Sequence, residues 1–258
     1  MSKGQYVTGL RAVEQLLASQ NAEIRRIYAE YQTANPRVEA LIADANTRGI
    51  EIQPANRARL AQISGESRHQ GIVAEVRRST ILDEAGLRSM VEESLQSGEG
   101  QNLLLLILDG IQDPHNLGAC LRTADAAGVD AVIAPRHGAA GLGSTVSKVA
   151  SGAAESLPFA NVGNLSRVIG WLKEYGVAIV GTSDKGSQSL YDCQFDGPLA
   201  LVMGREHTGL GQRIEGLCDT LVSLPMQGVV SSLNVSVATG IFLYEINRQR
   251  LASTAPEG

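Results

Sequence analysis

Six consecutive apolar residues, Leu103–Leu108, form the longest apolar run in the chain and constrain its fold more than any other feature. Successive side chains of a strand point to opposite sides of a sheet, so a strand apolar at every position must be covered on both faces. Ala131–Ala134, Leu157–Ala160, Val177–Gly181, Leu199–Met203 and Thr220–Leu224 repeat the pattern. Between them, helical patterns fit Asn116–Ala127, Ser144–Glu155, Leu165–Tyr175, Leu210–Cys218 and Ser232–Arg248. Apolar strands alternating with helices predict an α/β domain, a parallel sheet with helices on both faces. Ligands of such sheets gather beyond the carboxyl ends of the strands, where loops meet helix N-termini.

The first 78 residues carry a smaller α/β pattern of their own. Leu10, Val13, Leu16 and Leu17 mark a helix face, and Ile24–Ala29 reads as a strand. Pro36–Arg48 suits a helix with a proline in its first turn and Gly49 as its stop. A strand over Ile50–Gln53, a helix over Asn56–Ile63 and a strand over Gly71–Val76 complete the unit. Residues 79–101, with Asp83, Glu84, Glu92, Glu93 and Glu99 and a Ser-Gly-Glu-Gly stretch, read as a linker bearing one exposed helix. The expected organisation is therefore 1–78, a linker over 79–101, a larger domain over 102–250 and a disordered tail over 251–258.

Charge divides the same way. Residues 1–78 hold 11 Lys and Arg against 8 Asp and Glu, whereas 79–258 hold 11 against 19, within a chain of net charge −5. That asymmetry gives the N-terminal part a slight bias toward an anionic partner, although the same balance suits a solvated surface. The six-residue apolar run falls far short of the roughly 18 needed to cross a bilayer, so no membrane is expected. No apolar signal stretch opens the sequence. Cys120, Cys193 and Cys218 are widely spaced, without a CxxC or a nearby histidine, which argues against a metal site or disulfide framework and for a reducing cytoplasm.

Three Gly-rich polar loops fall where ligands belong. DGIQDPHNLG, residues 109–118, runs into a helix bearing Arg122 among small residues. Asn116 is placed to cap that helix, and Arg122 is either one half of a structural ion pair or a ligand-facing group. His115 is a possible base or simply a polar loop residue. GREHTG, residues 204–209, has glycines at both ends that let backbone approach a ligand closely, and Glu206 could orient Arg122 or face solvent. The third loop, 224–234, brings Ser231, Ser232 and Asn234 to the start of the last helix, which is apolar almost all round. No GxxxxGK[ST] or GxSxG motif occurs, and the Gly141–Val146 stretch has valine where a dinucleotide fingerprint needs its third glycine.

Together, LDGIQDPHNLGACLRTADAAG (108–128), LVMGREHTGL (201–210), SLPM (223–226) and SSLNVSVATG (231–240) resemble the ordered motifs of the SpoU-type (TrmH-type) RNA ribose 2′-O-methyltransferases of the SPOUT superfamily. YVTGLRAV (6–13) and HQGIVA (69–74) resemble that family's N-terminal substrate-binding domain, which is similar to L30 folds. The likeness extends over nearly the whole chain and looks nearest to the branch that modifies a guanosine in the peptidyl-transferase P loop of bacterial 23S rRNA.

The resemblance implies a C-terminal deep trefoil knot, a homodimer and S-adenosylmethionine as cofactor. By motif match it places cofactor contacts on Gly204, Leu224 and Leu233, and the catalytic set on Asn116, Arg122, Glu206, Ser232 and Asn234. Arg122 would then act as a general base, or as a fixed cation that stabilises the 2′-oxyanion and clamps a phosphate. Arg11, Arg25, Arg26, Arg57, Arg59 and Arg68 are the expected RNA contacts, because aromatics make up only 4% of the chain and stacking cannot dominate. The alternatives are a tRNA or other rRNA 2′-O-methyltransferase, and a noncatalytic RNA-binding or assembly protein on the same fold.

Overall fold

The computed structural model describes residues 5–18, 24–31, 35–66, 68–76, 81–97, 99–184, 186–205 and 208–254. The chain divides into two compact units, Met1–Thr80 with Ser151–Ser156, and Ile81–Ala150 with Leu157–Gly258.

In the first unit, β1 (Gln5–Thr8), α1 (Leu10–Ala18), β2 (Ile24–Glu30), α2 (Pro36–Thr47), β3 (Glu51–Ala55), α3 (Arg57–Ser64) and β4 (Ile72–Val76) follow one another. The sheet order is β1-β4-β2-β3, with β2 and β3 parallel and the other pairs antiparallel. Alternation along β2 sorts the two faces. Ile27 and Ala29 join Leu10, Val13, Leu16 and Leu17 of α1 and Val38 and Leu41 of α2 in one core. Tyr28 points the other way, to Val73, Ala55 and Leu60 of α3. The HQG turn before β4 has a structural role: Gln70 Oε1 accepts the Leu10 N–H at 3.0 Å, satisfying a free donor at the start of α1. β1 has no counterpart in the sequence reading, because four residues containing Gln, Tyr, Val and Thr give too short an alternation to register.

The second unit contains α4 (Glu84–Gln96), β5 (Leu104–Leu108), α5 (Pro114–Ala126), β6 (Ala131–Pro135) and α6 (Ser144–Ala150). After α7 (Ala153–Ser156), which groups with the first unit, come β7 (Phe159–Val162), α8 (Leu165–Glu174), β8 (Ala178–Thr182), β9 (Gln188–Ser189), β10 (Leu199–Met203), α9 (Gln212–Glu215), β11 (Thr220–Ser223) and α10 (Val235–Thr254). Seven strands pair in the order β7-β6-β5-β10-β8-β11-β9, and every pairing is parallel. Leu105 and Ile107 enter a core with Ile133, Val202 and residues of α8, while Leu104, Leu106 and Leu108 on the opposite side are equally buried. The apolar run is thus the centre of a sheet covered on both faces, as its composition requires.

Four sequence expectations are corrected. Residues 79–101 are no linker with an exposed helix, since Leu87 and Val91 of α4 are fully buried in the second unit's core, at a three-and-four spacing masked by the surrounding glutamates. The helix expected over Ser144–Glu155 breaks after Ala150, where Ser151 and Gly152 take φ of +54° and +105°. Asn116 is not the cap of α5. Asp113 is, accepting the His115 N–H at 2.9 Å, with Pro114 as the first helical residue. Finally, α10 runs to Thr254, so the tail expected over 251–258 begins as helix, and residues 255–258 lie outside those described.

Candidate active site

The loop after β5 is the hub of the carboxyl edge of the second unit's sheet. Asp109, 9% exposed, accepts the Gly211 N–H on Oδ2 at 3.0 Å, which ties the loop after β10 to it. On its other side the Ala140 N–H donates to the Ile111 carbonyl at 2.8 Å, fixing the loop after β6. The third tie is between side chains: Asn234 Nδ2 donates to Asn116 Oδ1 at 2.9 Å. Asn234 Oδ1 accepts the Ser236 N–H at 2.9 Å and the Ser236 hydroxyl at 2.6 Å, capping α10. Those two donors fix which face of the Asn234 amide looks at Asn116, so the helix cap orients the polar pair.

The loop after β10 doubles back sharply. Arg205 and Gly209 exchange two backbone hydrogen bonds at 3.0 Å each. Gly204 is buried beneath them, and a Cβ on it would lie 2.2 Å from the Gly209 carbonyl carbon. Only glycine fits. A similar restriction holds at Gly110 (φ +78°), where a Cβ would lie 2.6 Å from Arg205 Nε. The Arg205 guanidinium therefore lies flush on the backbone of the first loop.

The sequence-derived residues are only partly brought together. Asn116 and Asn234 touch, and Gly204 is packed against the Gly209 and Leu210 backbone within the second loop. Ser232 and Leu233 are exposed and Leu224 half-buried along the irregular segment 224–234. Arg122 is exposed on α5, six residues beyond Asn116. That offset is about 9 Å along the helix and about 120° around it, and Arg122 makes no ion pair with a described residue. Glu206 lies outside the described residues. Sequence reasoning missed Asp109. Its position directly after an apolar strand was the available signal, since a carboxylate at that point has free loop N–H groups to receive.

Segment 224–234 bears on cofactor binding. Its backbone lies outside any strand or helix, so its N–H and C=O groups are not committed to a ladder, and the apolar Leu224 and Leu233 stand near its ends. An adenosine needs backbone-type donors and acceptors at its ring edge and apolar contacts on its ring faces, and this segment supplies both. Burial pushes the Cys218 thiol up to about 11, which removes it as a nucleophile. Among the described residues no cluster of His, Cys, Asp or Glu could hold a metal ion, and no helix is long and apolar enough to cross a membrane.

The six arginines expected to contact RNA fall into two groups. Arg25 pairs with Glu75 at 3.4 Å, Arg26 with Glu51 at 2.9 Å and Arg57 with Glu30 at 2.8 Å. Arg59 donates to Gln62 at 3.0 Å, while Arg11 and Arg68 are exposed without an ion pair to a described residue.

With this geometry in place, residues 103–244 match the SpoU rRNA Methylase family and residues 6–82 match the family described as RNA 2'-O ribose methyltransferase substrate binding. The chain belongs to the SpoU rRNA methylase family. This SpoU methylase is 46% identical over 250 residues to a 23S rRNA (guanosine-2'-O-)-methyltransferase of Ralstonia nicotianae, covering 97% of this chain and 98% of the relative. It is equally 46% identical over 250 residues to the enzyme of that name in Pseudomonas aeruginosa, again covering 97% and 98%. Its fold is similar to the SpoU methyltransferase AviRb of Streptomyces viridochromogenes, solved in complex with AdoMet (TM-score 0.70, 25% identity, 97% of this chain and 91% of that one).

Proposed function

We propose that this SpoU methylase transfers a methyl group from S-adenosylmethionine to the ribose 2′-hydroxyl of a guanosine in the P loop of 23S rRNA. The near-full-length identity to relatives named for 23S rRNA guanosine carries the reading. Three cysteines, none in a disulfide, suit the reducing cytoplasm in which rRNA is modified.

The cofactor is held by the segments around Gly204, Leu224 and Leu233. When bound it supplies an electrophilic methyl group whose sulfur departs as a neutral thioether. The chain's own task is then confined to the nucleophile, because a ribose hydroxyl is scarcely ionised at neutral pH. The Asn116–Asn234 pair sits where it can hydrogen-bond the ribose and fix the 2′-oxygen in one orientation. Ser232 is exposed beside it and can add a further contact. A guanidinium stays protonated in proteins, so Arg122 serves as a fixed cation that clamps the adjacent phosphate and stabilises negative charge developing on the 2′-oxygen, while the hydroxyl proton passes to water as the bond to the methyl carbon forms. Glu206 would hold the guanidinium plane.

Arg122 starts about 9 Å along α5 from Asn116, which favours a site completed between two copies. α10 supports that arrangement. Val237, Tyr244 and Leu251 recur every seven residues on one stripe and are 51%, 57% and 72% exposed. Such a stripe suits a twofold interface, giving a homodimer.

The path of the chain after β8 is read as a trefoil knot, and close backbone approaches there support that reading. A Cβ on Gly186 would lie 2.6 Å from the Ser223 nitrogen, so the segment after β8 passes directly against β11. The loop after β10 closes on itself over Gly204, and α10 then returns to pack on α5. The first unit is read as an L30-like substrate-binding domain, with Arg11, Arg59 and Arg68 as its available RNA contacts and Arg25, Arg26 and Arg57 reached by exchanging their carboxylate partners.

The test is transfer of labelled methyl from S-adenosylmethionine to unmodified 23S rRNA, mapped for 2′-O-methylation. One labelled P-loop guanosine is expected. Labelling of tRNA, or of no RNA, would overturn the assignment.

A further inference from the structure

Two arginines beside the first loop have no role in the chemistry above. Arg205 follows β10 and Arg136 follows β6, and β5 with its loop lies between those strands in the sheet. Each is exposed, and neither makes an ion pair with a described residue. Among residues 79–258, with 11 basic against 19 acidic residues, exposed cations without an ion pair to a described residue stand out at the site edge.

Both are held in place by backbone. The Arg136 N–H donates to the Val162 carbonyl at 2.8 Å, and the same loop is bonded to Ile111 through Ala140 at 2.8 Å. Arg205 sits in the closed turn with Gly209, and its guanidinium rests on Gly110, where no side chain intervenes. Strands two places apart in a sheet are about 10 Å from each other, so the two arginines bracket the loop that leads to Asn116 at that separation.

We propose that Arg136 and Arg205 are phosphate-binding residues that grip the RNA strand on either side of the target nucleotide and so present its ribose to Asn116. A planar guanidinium can take a phosphate through two parallel hydrogen bonds, which fixes orientation as well as position. Two such grips on opposite sides of the loop define the direction of the strand, which a single contact cannot do. The inference rests on the reading that the substrate is RNA, and it adds a contact surface on the unit that carries the site, separate from the arginines of the first unit.

The experiment compares wild type with Arg136→Ala, Arg205→Ala, the double variant and the two lysine variants. Binding to unmodified 23S rRNA is measured across salt concentrations, together with KM for RNA, affinity for S-adenosylmethionine and Tm. Each alanine variant is expected to raise KM for RNA about tenfold and to flatten the salt dependence of binding by about 0.7 in log–log slope. Cofactor affinity and Tm should not move, and lysine should restore the slope by restoring the charge. An unchanged KM and slope would overturn the proposal, as would a loss confined to cofactor affinity or Tm. If wild type binds the RNA but transfers no methyl, the reaction assigned above fails, while the slopes still decide whether these arginines hold phosphate.

Discussion

Asp109 accepts the Gly211 N–H at 3.0 Å across 102 residues of sequence, joining the end of β5 to the far side of the loop after β10. Within the loop, Arg205 and Gly209 close the turn through two backbone hydrogen bonds. The carboxylate thus converts a local turn into a wall of fixed position, and the wall contains Gly204, to which cofactor binding is assigned. Asp109→Ala would remove this part-buried, charge-assisted hydrogen bond, at a cost of about 1.5–3 kcal/mol. Calorimetric titration should show weaker binding of S-adenosylmethionine together with a lower Tm. Unchanged affinity would mean that the wall does not touch the cofactor.

Asn116 and Asn234 share one hydrogen bond but differ in what else they support. Asn234 also caps α10 through Ser236, so Asn234→Ala should cost about 0.5–2 kcal/mol of stability as well as catalytic rate. Asn116 lies inside α5, whose cap is Asp113, so Asn116→Ala should lower kcat with little change in the urea midpoint. Equal destabilisation by the two variants would show that the pair acts chiefly as structure.

Much of this was legible in the sequence because burial on two faces leaves a strong mark. Leu199–Met203 appears in the structure with the expected bounds, and β5 differs by one residue. Some boundaries were missed because backbone conformation sets them, as at the break at Ser151 and Gly152, or because a competing cap does, as with Asp113 in place of Asn116. Asn116 and Asn234, drawn from two separate motifs, meet through a side-chain hydrogen bond. The six-residue offset between Asn116 and Arg122 already separates them along and around α5 once the helix is placed.

Gly204→Ala tests the tight loop directly. Its Cβ would stand 2.2 Å from backbone atoms that cannot swing aside as a flexible side chain would. We expect loss of cofactor binding with a substantial fall in Tm. Wild-type values of both would contradict the described path of the loop.

Glu245 sets an expectation for acid stability. Hydrogen bonds from Arg248 and Gln249 hold its carboxyl at about 2, against an ordinary value of 4.5. A carboxyl depressed on folding contributes stability that is complete above the unfolded value and lost as pH falls through the folded one. Glu245→Gln should therefore lower the urea midpoint at pH 7, and the difference from wild type should shrink between pH 4.5 and pH 2. The same Gln249 donates to the Cys193 carbonyl at 3.0 Å and accepts the Phe195 N–H at 3.1 Å, so the variant also loosens how α10 holds that segment. A constant difference across the pH range would assign the effect to packing instead of ionisation.

The stripe of Val237, Tyr244 and Leu251 makes the last prediction. Three large apolar side chains, each more than half exposed at heptad spacing, are costly on a lone helix surface and favourable when a second copy covers them. Val237→Glu with Tyr244→Glu would place like charges against each other across a twofold axis, since each residue there faces the same patch on the partner. Light scattering should find the wild type as a dimer and the variant as a monomer. Because Arg122 starts about 9 Å along α5 from Asn116, a site completed by a second copy predicts that the monomer loses methyl transfer while keeping measurable affinity for S-adenosylmethionine. A monomeric variant with full activity would place the whole catalytic set within one chain.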